Sequence, residues 1–268
     1  MKNSKIPVVL TIAGSDSGAG AGIQADLKTF SSLGTYGTTV ITVVTSQNTL
    51  KVSDVQPLEL SIISSQIDSI VEDFDLKAIK TGMLFTPEIV SVVAKKAKEY
   101  KWNKLIVDPV MVASSGDSLL KLEAINEYKN NLIPISFAIT PNIPELATLS
   151  GDSIISKNDI KNACVDISKL GVKNIIAKGG HNKSEREATD ILFINGTFFE
   201  YSLPRLKSSN NHGTGCTFAA AFTANIALGK DIKKSFVDAK EYVWQAMSND
   251  LLLGNGNGPV DHFYQLRK

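Results

Sequence analysis

A glycine-rich turn in front of an apolar helix is the first feature of this sequence that could do chemistry. The run NNHGTGCTFAAAF, residues 210–222, places Gly213, Thr214 and Gly215 directly before Cys216. The first backbone N–H groups of a helix lack intrahelical partners, and the helix dipole favours negative charge beside them. The turn therefore predicts an anion-binding loop that contains a thiol. We expect the same helix field to lower the pKa of the Cys216 thiol.

Carboxylates stand where two other strand-like runs end. Asp108 lies in the run KLIVDPV, and Glu145 lies shortly after Asn142, which ends SFAITPN. A carboxylate at a strand end suits Mg²⁺, which is held largely through water. The Asn142-x-x-Glu145 spacing is also that of a helix capping box, so on spacing alone Glu145 has an equally good structural explanation. Lys178, in AKGGH, predicts a cation near a nucleotide, although an ordinary surface lysine would look the same.

The elements that must position these residues are strands and helices in alternation. Short apolar, β-branched runs are separated by segments of helical period, which indicates βαβ units. Hydrophobicity in the runs is continuous, so helices should cover both faces of a mostly parallel sheet. The carboxyl ends of the strands then meet at one edge, where ligands bind. The strand-like runs are PVVLTIAG, TTVITVVTS, LKAIKTG, KLIVDPV, SFAITPN and KNIIAKGG.

The C-terminal third has a different pattern. DILFINGTFFEYS contains two strand-like pieces around Asn195-Gly196, which predicts an antiparallel hairpin at the edge of the sheet. Two helices should finish the chain, from Cys216 to Leu228 and from Ile232 to about Leu252. The chain has two cysteines, too few for a disulfide framework. The second of them, Cys164, shares a helical face with apolar residues and is expected in the core.

Length and charge limit the partners. The chain has 268 residues with 28 basic and 27 acidic side chains, a net charge of +1. No linker, repeat or low-complexity tract divides it, which predicts a single domain over residues 1–268. The near-zero charge gives no drive toward nucleic acid or an anionic membrane, so a small molecule is the expected partner. No secretory leader pattern or membrane-length apolar run is visible, so we expect a cytoplasmic protein.

The glycine-rich loop at residues 14–22, GSDSGAGAG, matches neither common nucleotide-binding fingerprint. It lacks the Lys-Ser/Thr ending of a P-loop, and Ile23 stands where the last glycine of G-x-G-x-x-G would be. In the helix that follows, Ile23, Leu27 and Phe30 form the buried face, and Asp26 falls on the shoulder of that face. A solvated aspartate would prefer the opposite side, so we expect Asp26 to contact a ligand.

Taken together, the motifs resemble the hydroxymethylpyrimidine/phosphomethylpyrimidine kinases of thiamine synthesis, a branch of the ribokinase superfamily. The similarity extends from Leu10 to GPVDHFY near the end of the chain. It implies a ribokinase-like three-layer α/β sandwich, a homodimer and a kinase that uses ATP and Mg²⁺. The implied substrates are 4-amino-5-hydroxymethyl-2-methylpyrimidine and then its monophosphate. The motifs are AGSDSGAGAGIQADLKT, VTSQN, IKTGM, DPVMVASSGD, TPNIPE, KGGH and HGTGCT.

The resemblance also implies roles for individual residues. Cys216 stands where most ribokinase relatives carry an aspartate as the base, and the amides of Gly213, Thr214, Gly215 and Cys216 would face the transferred phosphoryl group. Asp108 and Glu145 would serve the metal, and Asn142 and Lys178 the nucleotide. The implied pyrimidine-binding residues are Gly14, Asp26, Gln47, Met83 and Val110.

Gln47 bears most directly on the choice of substrate. One carboxamide supplies both the acceptor that an amino group needs and the donor that a ring nitrogen needs. Related pyridoxal kinases often lack this glutamine and carry HGAGC in place of HGTGC, so pyridoxal is the second-ranked substrate. Two other classes remain open: a cysteine–histidine hydrolase built on Cys216 and His212, and a non-catalytic ligand-binding protein. The loop geometry favours a structural role for His212 in shaping the turn.

One position departs from the family pattern. Many members have a lysine in the DPVMVAKSG stretch where this chain has Ser114, so the second phosphorylation is less firmly implied than the first. The small, polar segments SSGDSLL and LKSSNN are candidate flaps that would exclude water from the site.

Overall fold

A single mixed sheet occupies the middle of the fold. The computed structural model describes residues 6–111, 123–180, 186–208, 210–249 and 251–267. Within these ranges the strands are β1 (Val8–Asp16), β2 (Tyr36–Gln47), β3 (Val52–Pro57), β4 (Leu76–Thr81), β5 (Leu105–Val107), β6 (Ala138–Ile139), β7 (Asn174–Ala177), β8 (Glu187–Ile194) and β9 (Thr197–Pro204). They form one nine-stranded sheet in the order β3-β2-β1-β4-β5-β6-β7-β8-β9.

The central strands are parallel, as predicted. Strand β1 pairs in parallel with β2 and β4, and the parallel pairing continues through β5 and β6 to β7. Their continuous apolar runs are buried because helices cover both faces of the sheet. Polar residues that follow the strands therefore gather at one edge of the sheet.

Both edges of the sheet are antiparallel. The predicted hairpin is confirmed: Ile194 pairs with Thr197, and the two turn residues between them have φ of 47° at Asn195 and 84° at Gly196. Positive φ at both positions matches the strand twist, which explains the Asn-Gly pair. The antiparallel strand β3 at the opposite edge was not predicted. Its sequence, VSDVQP, is short and largely exposed, so it carries no continuous apolar run.

Helices lie on both faces of the sheet, which confirms the three-layer α/β sandwich. In the described residues the helices are α1 (Gly22–Ser32), α2 (Leu60–Asp73), α3 (Pro87–Glu99), α4 (Glu123–Glu127), α5 (Ile143–Ser150), α6 (Lys157–Ser168), α7 (Thr214–Ala227) and α8 (Ile232–Ser248). One core lies under α2 to α6 and contains the fully buried Cys164, as expected. A second core lies under α1, α7 and α8.

Helix α7 is the innermost helix of its layer. Every residue from Thr217 to Ala227 is buried, and the helix packs between α1 and α8. A helix that is apolar all round is stable only when it is enclosed in this way. Its first turn is thereby fixed at the carboxyl edge of the sheet. None of the helices in the described part of the chain combines the length and apolarity needed to span a bilayer.

Asp26, which we expected to contact a ligand, has its carboxylate enclosed in a buried ion pair. Asp26 lies on α1 and is fully buried, where Lys80 Nζ contacts both carboxylate oxygens at 2.8 and 2.9 Å. Thr11 Oγ1 donates a further hydrogen bond of 2.6 Å. The position of Asp26 beside the buried face of α1 is therefore explained by a buried ion pair between α1 and the sheet. Lys80 is the last residue but one of the strand-like run LKAIKT, and nothing in the sequence indicated that its side chain is buried.

This ion pair predicts a large loss of stability when one partner is removed. Lys80→Met leaves the Asp26 carboxylate buried without its cation, which should lower the free energy of unfolding by about 3–5 kcal/mol. Urea denaturation monitored by circular dichroism measures the loss. The matched control is the double variant Asp26→Leu/Lys80→Met. It removes both charges and should recover most of the free energy of unfolding that Lys80→Met loses. A Lys80→Met cost below about 1 kcal/mol would contradict the burial described.

Candidate active site

A cavity of about 820 Å³ opens at the carboxyl edge of the sheet, against the first turn of α7. It brings together residues that are far apart in the sequence, because the strand ends converge there. Of the residues predicted for the site, only Asp26 does not line the cavity. The predicted residues that line it are Gly14, Gln47, Met83, Asp108, Val110, Asn142, Glu145, Lys178, Gly213, Thr214, Gly215 and Cys216. Ser114 and the segment SSGDSLL lie outside the described residues, as does Ser209 within LKSSNN.

The anion-binding loop has the backbone geometry that its glycines predict. Gly213 caps α7 with a left-handed φ of 78°, and a Cβ at this position would lie 1.8 Å from the carbonyl oxygen of Gly20. Only glycine tolerates both conditions. The backbone amide of Thr217 donates to Gly213 O at 2.8 Å, so the helical ladder begins beyond the first turn. The amides of Gly215 and Cys216 thus precede the ladder and lie at the cavity wall.

A lysine and an aspartate stand beside this loop. Lys178 Nζ lies 2.9 Å from Asp108 Oδ1, and Thr140 Oγ1 donates to the same oxygen at 2.9 Å. Among the described residues Asp108 Oδ2 accepts no hydrogen bond and remains available to a ligand. A Cβ at Gly215 would meet Lys178 Nζ at 3.4 Å, so the cation is adjacent to the first turn of α7. Positive charge from Lys178 and from the helix N-terminus therefore acts on the same part of the cavity.

Glu145 and Asn142 form the capping box that their spacing predicted. Asn142 N donates to Glu145 Oε2 at 2.7 Å, and Glu145 N donates to Asn142 Oδ1 at 2.9 Å. The same glutamate lines the cavity, so its capping bond and a role at the cavity wall are geometrically compatible. Burial, with help from the negative charge of Asp108, raises the pKa of Glu145 to about 7 against the opposing effect of Lys178.

The donor set fits a magnesium ion that keeps most of its water. No group of three or more His, Cys, Asp or Glu side chains forms a metal site in the part of the chain that the structure describes. Mg²⁺ needs only one or two carboxylates when substrate phosphates and water complete its shell. Asp108 and Glu145 supply such oxygens at the cavity wall, and the available Asp108 Oδ2 is a suitable acceptor for metal-bound water.

Gln47 lies on the His212 side of the cavity, near the apolar side chains of Met83 and Val110. A Cβ on Gly14 would lie 2.8 Å from Val43 Cγ2 and 3.5 Å from Met83 Sδ, so these two side chains fill the space beside the glycine and no larger residue fits there. Val110 lines the same cavity. The Gln47 backbone is fixed by Ser17, whose hydroxyl both accepts from Gln47 N and donates to Gln47 O at 2.8 Å. The arrangement suits a flat ring with polar atoms on one edge.

Asp16 was not predicted as a site residue, yet it organises this end of the cavity. Its carboxylate accepts from the backbone amides of Gly18, Gly20 and Ala21 at 2.8 to 3.0 Å and contacts His212 Nε2 at 2.9 Å. Burial alone would raise its pKa, but the bonds from His212 and the loop amides hold the pKa below its usual value. The Asp at the end of AGSD was the available signal, and turn chemistry accounted for it equally well.

The C-terminal glycine-rich segment, residues 254–259, closes over the same loops. Gly256 N donates to Thr49 Oγ1 at 3.2 Å and Asn257 N donates to Thr49 O at 2.9 Å. His212 N donates to Gly258 O at 3.1 Å. Cβ atoms at Gly256 and Gly258 would clash with Thr49 and Asn210, which explains the glycines. The segment therefore belongs to the architecture of the site.

A third region of the cavity lies between the β8–β9 hairpin and α8. Lys240 Nζ pairs with Asp190 Oδ2 at 2.8 Å, and Trp244 Nε1 donates to Pro204 O at 2.7 Å. These four residues all line the cavity. Sequence reasoning missed them because they come from an edge hairpin and a terminal helix that show no motif.

Comparison with known proteins agrees with this geometry. The family model described as phosphomethylpyrimidine kinase matches residues 16–261. The chain belongs to that family. A hydroxymethylpyrimidine/phosphomethylpyrimidine kinase of Bacillus subtilis is 48% identical over 254 residues, which cover 95% of this chain and 94% of that protein.

Solved structures give the same family and add a related activity. The phosphomethylpyrimidine kinase of Clostridium difficile is 43% identical with a TM-score of 0.80, covering 90% of this chain and 99% of that one. A Bacillus subtilis pyridoxal kinase, solved as an ADP complex, is 34% identical with a TM-score of 0.90, covering 98% and 100%. The backbone fold is therefore shared between kinases for two different rings, and side chains at the substrate end must distinguish them.

For a phosphomethylpyrimidine kinase, the state of Cys216 differs from the expectation that the helix field would lower its thiol pKa. Burial raises the pKa of Cys216 to about 11; Lys80 opposes the rise, and the carboxylates of Asp26 and Asp108 add to it. Desolvation is the largest of these effects, and together with the two carboxylates it exceeds the lowering of the pKa by Lys80 and by the hydrogen bond from the Gly22 amide. In the ligand-free protein Cys216 is a neutral thiol at physiological pH.

The raised pKa predicts slow alkylation of Cys216. In a Cys164→Ala background, the logarithm of the iodoacetamide rate should climb with a slope of about one up to pH ~9.5, because the thiolate is still a minor species there. An ordinary thiol levels off near pH ~8.5. Mass spectrometry of the modified peptide measures the rate, and Cys216→Ala/Cys164→Ala is the blank. A plateau at or below pH ~8.5 would contradict the neutral-thiol description.

Proposed function

We propose that this protein uses ATP and Mg²⁺ to phosphorylate the hydroxymethyl group of 4-amino-5-hydroxymethyl-2-methylpyrimidine, and then the resulting monophosphate, in thiamine biosynthesis. One observation carries the proposal: a single cavity has Gln47 at one end and, beside it, an anion-binding helix terminus flanked by Lys178 and Asp108. The Bacillus subtilis relative, whose name states both kinase steps, supports the same substrates.

The substrate end fits the aminopyrimidine ring. The Gln47 carboxamide offers an acceptor and a donor on one edge, which pair with the amino group and a ring nitrogen. Gly14 lines the cavity and lets Val43 and Met83 pack against the strand backbone, and the ring would lie against Met83 and Val110. In this orientation the hydroxymethyl group can face the first turn of α7.

The phosphoryl end provides the charge stabilisation that the reaction needs. Transfer of a phosphoryl group depends mainly on positioning and on neutralising its equatorial oxygens. The amides of Gly213, Thr214, Gly215 and Cys216 would bind those oxygens, and Lys178 adds a cation beside them. Bound Mg²⁺ would neutralise charge on the ATP phosphates. Asp108 and Glu145 would hold it largely through water, and Asn142 fixes Glu145.

Cys216 is the proposed acceptor of the hydroxyl proton. The pKa of about 11 makes the thiolate scarce in the free protein, but a strong base once it forms. The base hypothesis therefore requires that kcat/KM rise with pH across the neutral range, because this parameter follows the ionisation of the free enzyme.

Removing the thiol tests this assignment. Cys216→Ala should lower kcat by about a hundredfold or more and abolish the rise of kcat/KM between pH ~8 and ~9.5, a range in which Glu145, with a pKa of about 7, is already mostly ionised. A coupled ADP-release assay measures both parameters. Glu145→Gln is the matched comparison, because it perturbs the metal side while leaving the thiol in place. Cys216→Ala with near wild-type kcat would defeat the base hypothesis and leave the anion loop intact.

A product-resolved assay tests the function itself. The protein is incubated with ATP and Mg²⁺ and, separately, with the hydroxymethylpyrimidine, its monophosphate or pyridoxal, and the products are separated chromatographically. We expect turnover of both pyrimidines and a kcat/KM for pyridoxal lower by about tenfold or more, since Gln47 pairs with the aminopyrimidine edge. Gln47→Ala should erase most of that preference. A preference for pyridoxal in the wild-type protein would reverse the ranking of substrates.

The structure gives reasons to rank the other classes lower. His212 Nε2 contacts Asp16 and Gln47, so its imidazole is committed away from the thiol that a cysteine–histidine hydrolase would activate. A non-catalytic binding protein would have no use for a partly buried Asp108–Lys178 pair at an anion-binding helix terminus. The homodimer implied by the resemblance stays a prediction.

A further inference from the structure

The Gln47 carboxamide has two neighbours that decide which way round it sits. Its nitrogen lies 3.4 Å from His212 Nε2, and its oxygen lies 3.3 Å from Thr45 Oγ1. Thr45 Oγ1 also has an acceptor of its own, the carbonyl oxygen of Ser15 at 3.1 Å. The oxygen and nitrogen of a carboxamide have nearly the same shape, so the hydrogens around them determine the orientation.

The proton on His212 is fixed by Asp16. The Asp16 carboxylate, 3% exposed, is held by loop amides as well as by His212 Nε2 at 2.9 Å. A carboxylate accepts hydrogen bonds and cannot donate one, so His212 Nε2 must carry a hydrogen. With a hydrogen on Nε2, a carboxamide N–H facing it would set donor against donor.

A half-turn of the carboxamide satisfies every contact. It exchanges oxygen and nitrogen at the same two positions, so the oxygen shares the single His212 Nε2 hydrogen with Asp16 Oδ2 in a three-centre hydrogen bond. The nitrogen then donates to Thr45 Oγ1, whose own hydrogen goes to Ser15 O. His212 cannot move away to relieve the clash, because a Cβ at Gly20 would lie 2.2 Å from its Cδ2 and its backbone is tied to Gly258.

We infer that His212 is a positioning residue that holds the Gln47 carboxamide with its oxygen on the His212 side and its nitrogen on the Thr45 side. The inference rests on the proposed function and deepens it. The second lone pair of the Gln47 oxygen and the second N–H of its nitrogen are then the groups that face the substrate, with the acceptor always on the His212 side and the donor on the Thr45 side. A 4-aminopyrimidine, which offers N–H beside a ring acceptor, matches that order with its amino group toward His212.

The 4-oxo analogue of the substrate exposes this role. 5-Hydroxymethyl-2-methylpyrimidin-4-one has the same shape and the same reacting alcohol, but presents a carbonyl beside a ring N–H, the reverse pattern. A carboxamide held in one orientation rejects it, whereas a carboxamide free to turn accepts both. His212→Leu should therefore narrow the ratio of kcat/KM for the amino over the oxo substrate by about tenfold, the equivalent of one hydrogen bond.

The experiment measures this ratio in the wild-type protein and in three His212 variants, each with and without Gln47→Ala. His212→Gln can place a carboxamide N–H near the position of His212 Nε2–H. This variant should keep the wild-type ratio of kcat/KM for the amino over the oxo substrate. His212→Asn is too short to reach and should narrow it as His212→Leu does, which preserves the test if the leucine variant fails to fold. In the Gln47→Ala background no His212 variant should change the ratio, because the group through which His212 acts is absent.

The outcomes separate this inference from the function on which it rests. If the wild-type protein phosphorylates the aminopyrimidine but His212→Leu slows both substrates equally, His212 only supports the loop and the inference is overturned. The inference is also overturned if a His212 variant still changes the amino-over-oxo ratio of kcat/KM in the Gln47→Ala background. If the wild-type protein phosphorylates neither pyrimidine, the proposed function fails and this inference fails with it.

Discussion

The Asp16 carboxylate connects the two glycine-rich loops from which the site is built. It accepts amide hydrogens from residues 18, 20 and 21 of its own loop and contacts His212 of the loop before α7. A buried carboxylate with this many donors is stable only while the donors stay in place, because an ionised group loses much of its solvation on burial. The substrate end and the anion-binding end are therefore positioned relative to each other by one ionised group.

Charge balance around α7 follows a similar logic. The first turn of this helix is electropositive, and two lysines, the buried Lys80 and the partly buried Lys178, lie close to it, each paired with an aspartate. The paired carboxylates keep the interior near neutrality. Burial is the main cause of the raised pKa of the Cys216 thiol, and the two carboxylates add to it. The positive charge around the first turn of α7 thus does not suffice to stabilise a thiolate at Cys216.

Much of the fold and of the site could be predicted from the sequence because both depend on local patterns. Continuous apolar runs indicated the parallel strands, Asn195-Gly196 indicated the hairpin, and polar residues after each run indicated the cavity edge. The errors arose where a long-range partner decides the outcome. The ion pair of Asp26 could not be predicted because Asp26 lies on α1 and its partner, Lys80, on the distant strand β4, and the thiol pKa was misjudged because desolvation cannot be read from spacing. Asp16 and His212 were undervalued for the same reason, since their pairing joins residues at opposite ends of the chain.

The contacts of residues 254–259 bear on how the protein is made. Thr49, in the first quarter of the chain, and His212 both find backbone partners in this late segment. During synthesis the early strands emerge long before residues 254–259 are made. The loops around the cavity therefore cannot form these contacts until almost the entire chain has been synthesised. Contacts with such large sequence separation form late, because the intervening loop must be closed first. A nascent chain would therefore acquire its sheet well before it acquires a binding site.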